Sequence, residues 1–281
     1  MPSIAVIGSV NLDIVAKAAK LPAPGETITD AELHSFPGGK GANQALAAQR
    51  LGADVTLFAR VGDDASAKTA LALLQDGGVD LSNCKAVPGK ATGTALIAVA
   101  PSGENQIVVA PGANRSLTPD DLDVPNTDAL ICQLEVPVDT VAWVARNYSG
   151  FFCVNLAPAM RIDAAVLQRA DLIVVNETES KWYGATLTAC SGILATTRGA
   201  GPATLEKGGE IIAEATPPAV DAVDTTGAGD TFTAALTVAL VEGMAPGDAL
   251  RFACAAGSLA TTKMGAQASL PTREEVNACA E

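Results

Sequence analysis

The chain has 281 residues, enough for one large α/β unit or two small ones with a buried core. It is 48% hydrophobic and 17% charged, which marks a globular chain and excludes a disordered one. A net charge of -13 repels phosphate backbones and argues against nucleic acid as a partner, although a small anion can still be held by backbone N–H groups inside a cleft.

Met1, Pro2 and Ser3 lead into a short apolar run with no basic region before it, so no signal peptide is expected. No stretch approaches the ~18 apolar residues of a membrane span, and a cytoplasmic location with no membrane partner is the expectation. The six cysteines are Cys84, Cys132, Cys153, Cys190, Cys254 and Cys279, and none pairs as C-x-x-C. Most sit in apolar surroundings, which favours reduced packing residues over disulfides or metal ligands. A single histidine, His34, beside a loop makes a zinc site or a Ser-His-Asp hydrolase improbable.

In chain order, residues 3–8 form a β-branched run ending on a glycine, a good first strand. Residues 11–36 break the pattern with Pro22, Pro24 and Gly25. A helix is expected over 41–51, a strand over 55–59 and a helix over 65–75. Residues 93–110 again depart from it, with a turn at 101–105 between strand-like runs. Strands follow at 129–132, 151–155, 171–175 and 193–197, with helices at 138–146 and 164–170 between them. Two Ala-rich helices are expected over about 230–242 and 246–263, then a short one opened by Thr272 with Glu275 three positions on. Apolar strands alternating with helices indicate a largely parallel sheet covered on both faces. The two irregular segments, about 11–36 and 93–110, look like antiparallel strands forming either an edge extension or a small lid on one continuous domain, 1–281.

The strongest local signal is Asp224-Thr225-Thr226-Gly227-Ala228-Gly229-Asp230, leading into an Ala/Leu-rich helix. Small residues let the backbone approach a ligand closely. At the helix start, unsatisfied N–H groups and the positive end of the macrodipole make an anion hole for a transferring phosphoryl group. Asp230 at its lip can take a proton from an attacking hydroxyl, and taken alone it serves equally well as an N-cap.

A second signal is Pro37-Gly38-Gly39-Lys40-Gly41-Ala42-Asn43-Gln44-Ala45. It lacks the upstream glycine of a P-loop and has Gly41 where Ser or Thr is needed. Its glycines, with Lys40 and Asn43, suit a polyhydroxyl substrate. Asn11 and Asp13 lie beyond the first strand, two apart and on one side of an extended segment, where open α/β sheets bind ligands. A polar turn is the plainer reading of that pair. Gly8-Ser9-Val10 makes no dinucleotide fingerprint.

The two glycine motifs together resemble the signatures of the ribokinase/PfkB carbohydrate kinases, in matching order and separation, and the likeness runs from Ile4 to about Pro271. Gln133-Leu134-Glu135, Asn176-Glu177-Thr178-Glu179 and the run from Lys263 to Ser269 support it. The resemblance implies a ribokinase-like three-layer αβα fold with a mostly parallel central sheet and a small β lid. It implies that Asn11, Asp13, Gly39, Lys40, Asn43 and Glu135 hold a sugar. Asp230 would be the base, beside an anion hole from Gly227, Ala228 and Gly229. Asn176 and Glu179 would lie near the phosphates of ATP and organise Mg²⁺. Thr197, Arg198, Gly199, Ala200, Gly201 and Pro202 would border the nucleotide. Asp224, Thr226, Ala260, Lys263, Gly265 and Ser269 would surround a monovalent cation, K⁺ in that family.

The expected activity is transfer of the γ-phosphoryl group of ATP to the primary hydroxyl of a pentose, with D-ribose first. Another sugar or nucleoside kinase of the same fold, or a sugar-binding regulator without catalysis, are the rivals. Between Glu179 and Ile193 the chain is short of the family pattern by about a helix. Thr196 and Thr197 compete for one position, Pro202 stands where glycine is common, and Cys254 lies near the expected adenine pocket. Exposed lid edges lead to an expected homodimer.

Overall fold

The chain opens with β1 (Ser3–Ile7), buried from Ile4 onward. β2 (Asn11–Lys17) and β3 (Glu32–Gly38) follow, and then α1 (Lys40–Arg50), whose residues from Gly41 to Ala48 are all buried. Next come β4 (Asp54–Gly62) and α2 (Ala65–Asp76), which starts where the Asp64 carboxylate accepts from Ala67 N. β5 (Cys84–Val87), β6 (Gly93–Val99) and β7 (Asn105–Ala110) lead to a 3-10 turn at Gly112–Ser116. β8 (Ala129–Cys132), α3 (Val138–Asn147), β9 (Phe151–Asn155), α4 (Ala164–Arg169), β10 (Leu172–Asn176) and α5 (Glu177–Tyr183) keep a strict alternation. β11 (Ile193–Arg198), β12 (Gly201–Lys207), β13 (Glu210–Ala215), α6 (Ala228–Val241), α7 (Pro246–Leu259) and α8 (Arg273–Ala280) complete the chain. This computed structural model describes residues 1–123 and 126–280; Val124, Pro125 and Glu281, which the expected 1–281 domain includes, lie outside the described residues.

The main sheet has nine strands in the order β13-β12-β11-β10-β9-β8-β1-β4-β5. From β11 to β5 every pairing is parallel, and β12 and β13 add an antiparallel edge. Successive residues of a strand face opposite sides. Ile4 and Val6 therefore pack with α1, α2, α6, α7 and α8, while Ala5 and Ile7 pack with α3, α4 and α5. Helices on both faces of a mostly parallel sheet are the three-layer αβα arrangement expected from the sequence.

A second sheet, in the order β3-β2-β6-β7, stands apart from the first. Each hairpin in it is antiparallel, but β2 and β6 pair in parallel, with Asn11 opposite Gly93. The expectation of purely antiparallel lid strands is corrected here. The chain crosses through α1, β4, α2 and β5 before returning, and such a long connection permits parallel pairing.

Other departures are local. The β12–β13 hairpin was not anticipated, although Gly208 (φ 61°) and Gly209 (φ 84°) form the two-residue turn that favours one. β5, only four residues long, also escaped the sequence reading. α6 begins at Ala228 and not at Asp230, and α7 stops at Leu259 and not at 263. The short segment after Glu179 forms α5 and a single 3-10 turn, Gly184–Ala189. Thr272 and Glu275 form the anticipated reciprocal cap, at 2.7 and 3.3 Å.

α1 lies directly against the end of β1. A Cβ on Gly41 would stand 2.5 Å from the carbonyl carbon of Gly8 and from Ser9 N, so backbone meets backbone. Gly41→Ala is expected to cost about 1–3 kcal/mol through overpacking, read as a thermal midpoint several degrees lower. An unchanged midpoint would mean that α1 is free to shift.

Candidate active site

A cleft of about 220 Å³ opens at the carboxyl ends of β9, β10 and β11. Its walls are Lys40, Asn155, Ala157, Val174, Val175, Asn176, Glu179, Thr197, Thr225, Gly227, Gly229 and Asp230. Residues from six elements thus meet at one place: α1, β9, β10, α5, β11 and α6.

Asp230 is the third residue of α6 and is 5% exposed. The N-cap is Gly227, in the left-handed region at φ 82° and packed under Ala266, where any added Cβ would be 2.9 Å from the Ala266 Cβ. The alternative of Asp230 as the cap therefore falls. Its carboxylate is used otherwise: Asn43 Nδ2 donates to Oδ2 at 2.8 Å and Gln44 Nε2 to Oδ1 at 2.9 Å. Gln44 is held in turn, its Oε1 accepting from Gln133 Nε2 at 2.6 Å. Its Nε2 also approaches Asn155 Oδ1 at 3.3 Å, and Asn155 Nδ2 donates to Val174 O at 3.2 Å. The carboxylate can only accept, so it fixes the orientation of each amide behind it.

The first turn of α6 borders the cleft. Thr231 and Thr233 turn their hydroxyls back onto the carbonyls of Gly227 and Gly229, each at 2.8 Å. Gly227 and Gly229 line the cleft, whereas the Ala228 N–H is directed at Thr225 O at 3.3 Å.

Lys40 opens α1 under the influence of several acids. Burial pulls its pKa down, but Asp230, Glu135, Glu179 and Asp13 together raise it above the ordinary lysine value, so it stays charged. Its backbone N–H donates to Glu135 Oε2 at 3.2 Å, and Ser9 Oγ donates to the same oxygen at 2.5 Å. Gly39 precedes it at φ 91°, with Asn11 N so close that a Cβ would lie 2.7 Å away. Only glycine fits that turn.

Asn11 and Asp13 are 3% and 8% exposed on β2, at the root of the smaller sheet. Burial, then the charges of Glu135 and Asp230, push the Asp13 carboxyl up to about 7; Lys40 opposes the shift and Asp224 adds to it. Across the cleft Asn176 caps α5. Its side chain accepts from Glu179 N at 2.9 Å while Glu179 Oε2 accepts from Asn176 N at 2.8 Å. The plain helix-cap reading and a place on the cleft wall are thus both true of this pair. Burial raises the Glu179 pKa, against a backbone hydrogen bond from Asn176 and the charge of Lys40.

Among residues expected at the nucleotide, Thr197 is on the wall. Arg198, Gly199, Ala200, Gly201 and Pro202 are absent from the lining, and Arg198 donates to Pro202 O at 2.8 Å across the β11–β12 turn. Cys254 is buried in α7 with its thiol toward Ala215 O, and burial pushes its pKa to about 11. Of the residues expected around a cation, Asp224, Thr226 and Gly265 are joined by hydrogen bonds. Asp224 accepts from Thr226 N and from Gly265 N, both at 2.9 Å. Ala260 and Ser269 are buried nearby in sequence, and Lys263 is exposed. The residues that the sequence did not single out are Ser9, Gln44, Gln133 and Asn155. Gln44 carried a signal, since it is a long polar side chain inside an otherwise buried, small-residue stretch of α1.

A profile described as pfkB family carbohydrate kinase matches residues 1–273. The ribokinase of Bacillus subtilis (strain 168) is 38% identical over 291 residues, covering 98% of each chain. The deoxyribokinase of Salmonella typhi is 32% identical, covering 98% of this chain and 97% of its own. The solved structure of the Arabidopsis thaliana ribokinase, complexed with ribose and ATP, superposes with a TM-score of 0.88 at 32% identity, covering 100% of this chain and 99% of that one.

Asp13 carries a stability cost that depends on pH. Its folded-state pKa lies above the model-peptide value of 3.8, so the fold loses stability as pH rises from about 4 to about 7. Asp13→Asn is expected to melt several degrees above the parent at pH 8, with the gap closing toward pH 4. A gap that does not vary with pH would refute the assignment.

Proposed function

Since the chain belongs to the pfkB family of carbohydrate kinases, we propose that it transfers the γ-phosphoryl group of ATP to the 5-hydroxyl of D-ribose. The observation that carries this reading is a carboxylate with both oxygens anchored by neutral amides, on the wall of the cleft and in the first turn of α6. Its position is fixed, as a base for a hydroxyl proton requires.

In this reading the sugar lies between β2 and the start of α1. Asp13 and Glu135 accept from its hydroxyls, while Asn11, Asn43, Lys40 and the backbone at Gly39 approach its oxygens. Asp230 takes the proton of the primary hydroxyl, and that oxygen attacks the γ-phosphorus in line as the bond to the β,γ-bridging oxygen breaks and ADP leaves. The developing charge is met by Lys40 and by the α6 N-terminus at Gly227, Ala228 and Gly229. Thr197 borders the nucleotide, with Arg198, Gly199, Ala200, Gly201 and Pro202 around its outer part. The small sheet acts as a lid that excludes water.

The charge balance favours a divalent ion. Asp13, Glu135, Glu179 and Asp230 all act on one lysine, Lys40. A triphosphate entering so acidic a site needs added positive charge, and in this reading Asn176 and Glu179 would hold Mg²⁺ through water. Bound there, Mg²⁺ would neutralise phosphate charge. A hard oxygen donor set behind Gly227 fits K⁺, with the Asp224 carboxylate and the segments holding Thr226, Ala260, Lys263, Gly265 and Ser269 around it. Those segments are joined, since Thr261 O accepts from both Val223 N and Asp224 N, at 2.7 and 3.1 Å. A cation there would act on the shape of the helix start and not on the substrate.

The reading extends to a cytoplasmic homodimer joined through the lid. Free cysteines suit a reducing compartment. Every residue of β7 is exposed at a sheet edge, and Leu33, Leu96, Ile107, Val108 and Val109 carry apolar surface outward. Val108→Lys is expected to halve the mass in light scattering; a parent that is already monomeric would end the proposal.

The central test is a coupled assay over ribose, deoxyribose, hexoses and nucleosides, with and without K⁺. Ribose should give the highest kcat/KM, and K⁺ should raise it. Asp230→Asn should lower kcat by about 10²–10⁴-fold with little change in ribose binding. Near-parental turnover in that variant would remove Asp230 as the base, and a higher kcat/KM on deoxyribose would change the substrate.

A further inference from the structure

Asn114 belongs to none of the motifs and does not line the cleft. It sits in the 3-10 turn just after β7, where the chain leaves the lid, and is 1% exposed. Its side chain grips the loop between β1 and β2. Asn114 Oδ1 accepts from Val10 N at 2.9 Å, and its Nδ2 donates to Val10 O at 3.2 Å and to Asn11 Oδ1 at 2.8 Å.

These three bonds permit one arrangement of the amides. A backbone N–H can only donate, so Val10 N sets which end of the Asn114 amide is oxygen. The Nδ2 end is then turned to Asn11, and Asn11 must meet it with its own oxygen. The Nδ2 of Asn11 is left as the group free for a ligand. Beside it, two residues on and on the same side of β2, Asp13 can accept. The pair therefore offers one donor and one acceptor, the complement of neighbouring hydroxyls on a sugar ring.

Space at this point is as constrained as polarity. Gly93, paired with Asn11 across β2 and β6, has no room for a side chain: a Cβ would lie 2.2 Å from both Asn11 Oδ1 and Asn114 Nδ2. The same stem is closed by Ala113 N donating to Ala91 O at 2.8 Å. Both ends of the β6–β7 hairpin thus converge on the Asn11 amide.

We infer that Asn114 is a positioning residue that locks Asn11 as a hydrogen-bond donor toward the vicinal hydroxyls of the sugar, so that sugar affinity depends on the stem of the lid. The inference rests on the proposed sugar-kinase reading and deepens it. Asn114 touches neither sugar nor nucleotide in this account; it acts through Asn11.

Asn114→Asp is the discriminating substitution. A carboxylate still accepts from Val10 N but cannot donate to Asn11 Oδ1. Asn11 then turns its NH₂ inward and presents oxygen to the sugar. The expected result is a ribose KM raised at least about tenfold, with kcat and the ATP KM within about threefold. In an Asn11→Ala background the same substitution should raise the ribose KM less than about twofold further, because the residue it acts through is gone. A full additional increase in that background, or an unchanged ribose KM in the single variant, would overturn the inference. Should Asn114→Asp fail to fold by circular dichroism, Gly93→Ala wedges the same bond apart and must give the same KM effect. Calorimetric ribose binding by the parent separates the two levels: absence of binding removes the kinase reading itself, while normal binding with no response to Asn114→Asp removes only the role of Asn114.

Discussion

The structure depends on one buried carboxylate and the neutral donors that hold it. Removing an ionised carboxyl from water is costly unless hydrogen bonds replace the lost hydration. At Asp230 they come from Asn43 and Gln44 on α1, and behind them from Gln133 at the end of β8 and Asn155 at the end of β9. An arginine in their place would pair with the acid and suppress its basicity. Amides fix the oxygens without cancelling the charge. The same bonds tie α1, α6 and two strands of the main sheet together, so the carboxylate is located by the core and not by a loop.

That solution leaves the cleft with more negative than positive charge. Lys40 answers to four carboxylates, and Asp13 responds by holding its proton to about pH 7. Such a site is at odds with itself until a ligand arrives. In the proposed reading, hydroxyl hydrogens of the sugar satisfy Asp13 and Glu135, and cations make phosphates admissible. The strain is local because the rest of the molecule supplies ample burial on both faces of a nine-stranded sheet. A binding site that costs stability is common where residues are selected to meet a ligand and not each other.

Much of this was legible in the sequence, for a physical reason. In a parallel α/β sheet, ligand groups gather where strands end and helices begin, so the chemistry falls in short contiguous runs. The runs 38–45 and 224–230 could be read as units because each is such a junction. The main strands were readable because both faces are buried and their residues are apolar throughout. What escaped were relations between distant segments. Nothing in 11–17 or 93–99 announces that they pair in parallel. Gln133 and Asn114 are single polar residues whose partners are remote in the chain, 89 positions away for the Gln133–Gln44 bond and 103 for Asn114–Asn11. The shift of α6 from Asp230 to Ala228 followed from treating a first-turn acid as the cap. Gly227 supplies the left-handed turn, and a cap with no side chain leaves no signature of its own.

The two amide systems, behind Asp230 and behind Asn11, obey one rule. Each begins at a group that sets the polarity of the next: an ionised carboxylate, which only accepts, in one case and a backbone N–H, which only donates, in the other. From that fixed point each amide in line is forced into one orientation, and the last member presents a defined face. In the first system two amide oxygens, Asn43 Oδ1 and Gln133 Oε1, are buried with no hydrogen-bond partner among the described residues. In the second the free end is the Asn11 amide nitrogen, at the root of the smaller sheet. A cleft assembled from flexible side chains would have to choose its polarity on meeting the substrate and lose entropy in doing so. Here the choice is made during folding, by contacts that place no additional charge near the reaction. The positions flanking these chains are correspondingly small: Gly8 against Gln133, Gly93 against Asn11 and Asn114. Exclusion of side chains at those points keeps the amides from slipping out of line, and it makes the glycines as much a part of the site as the residues that touch a ligand.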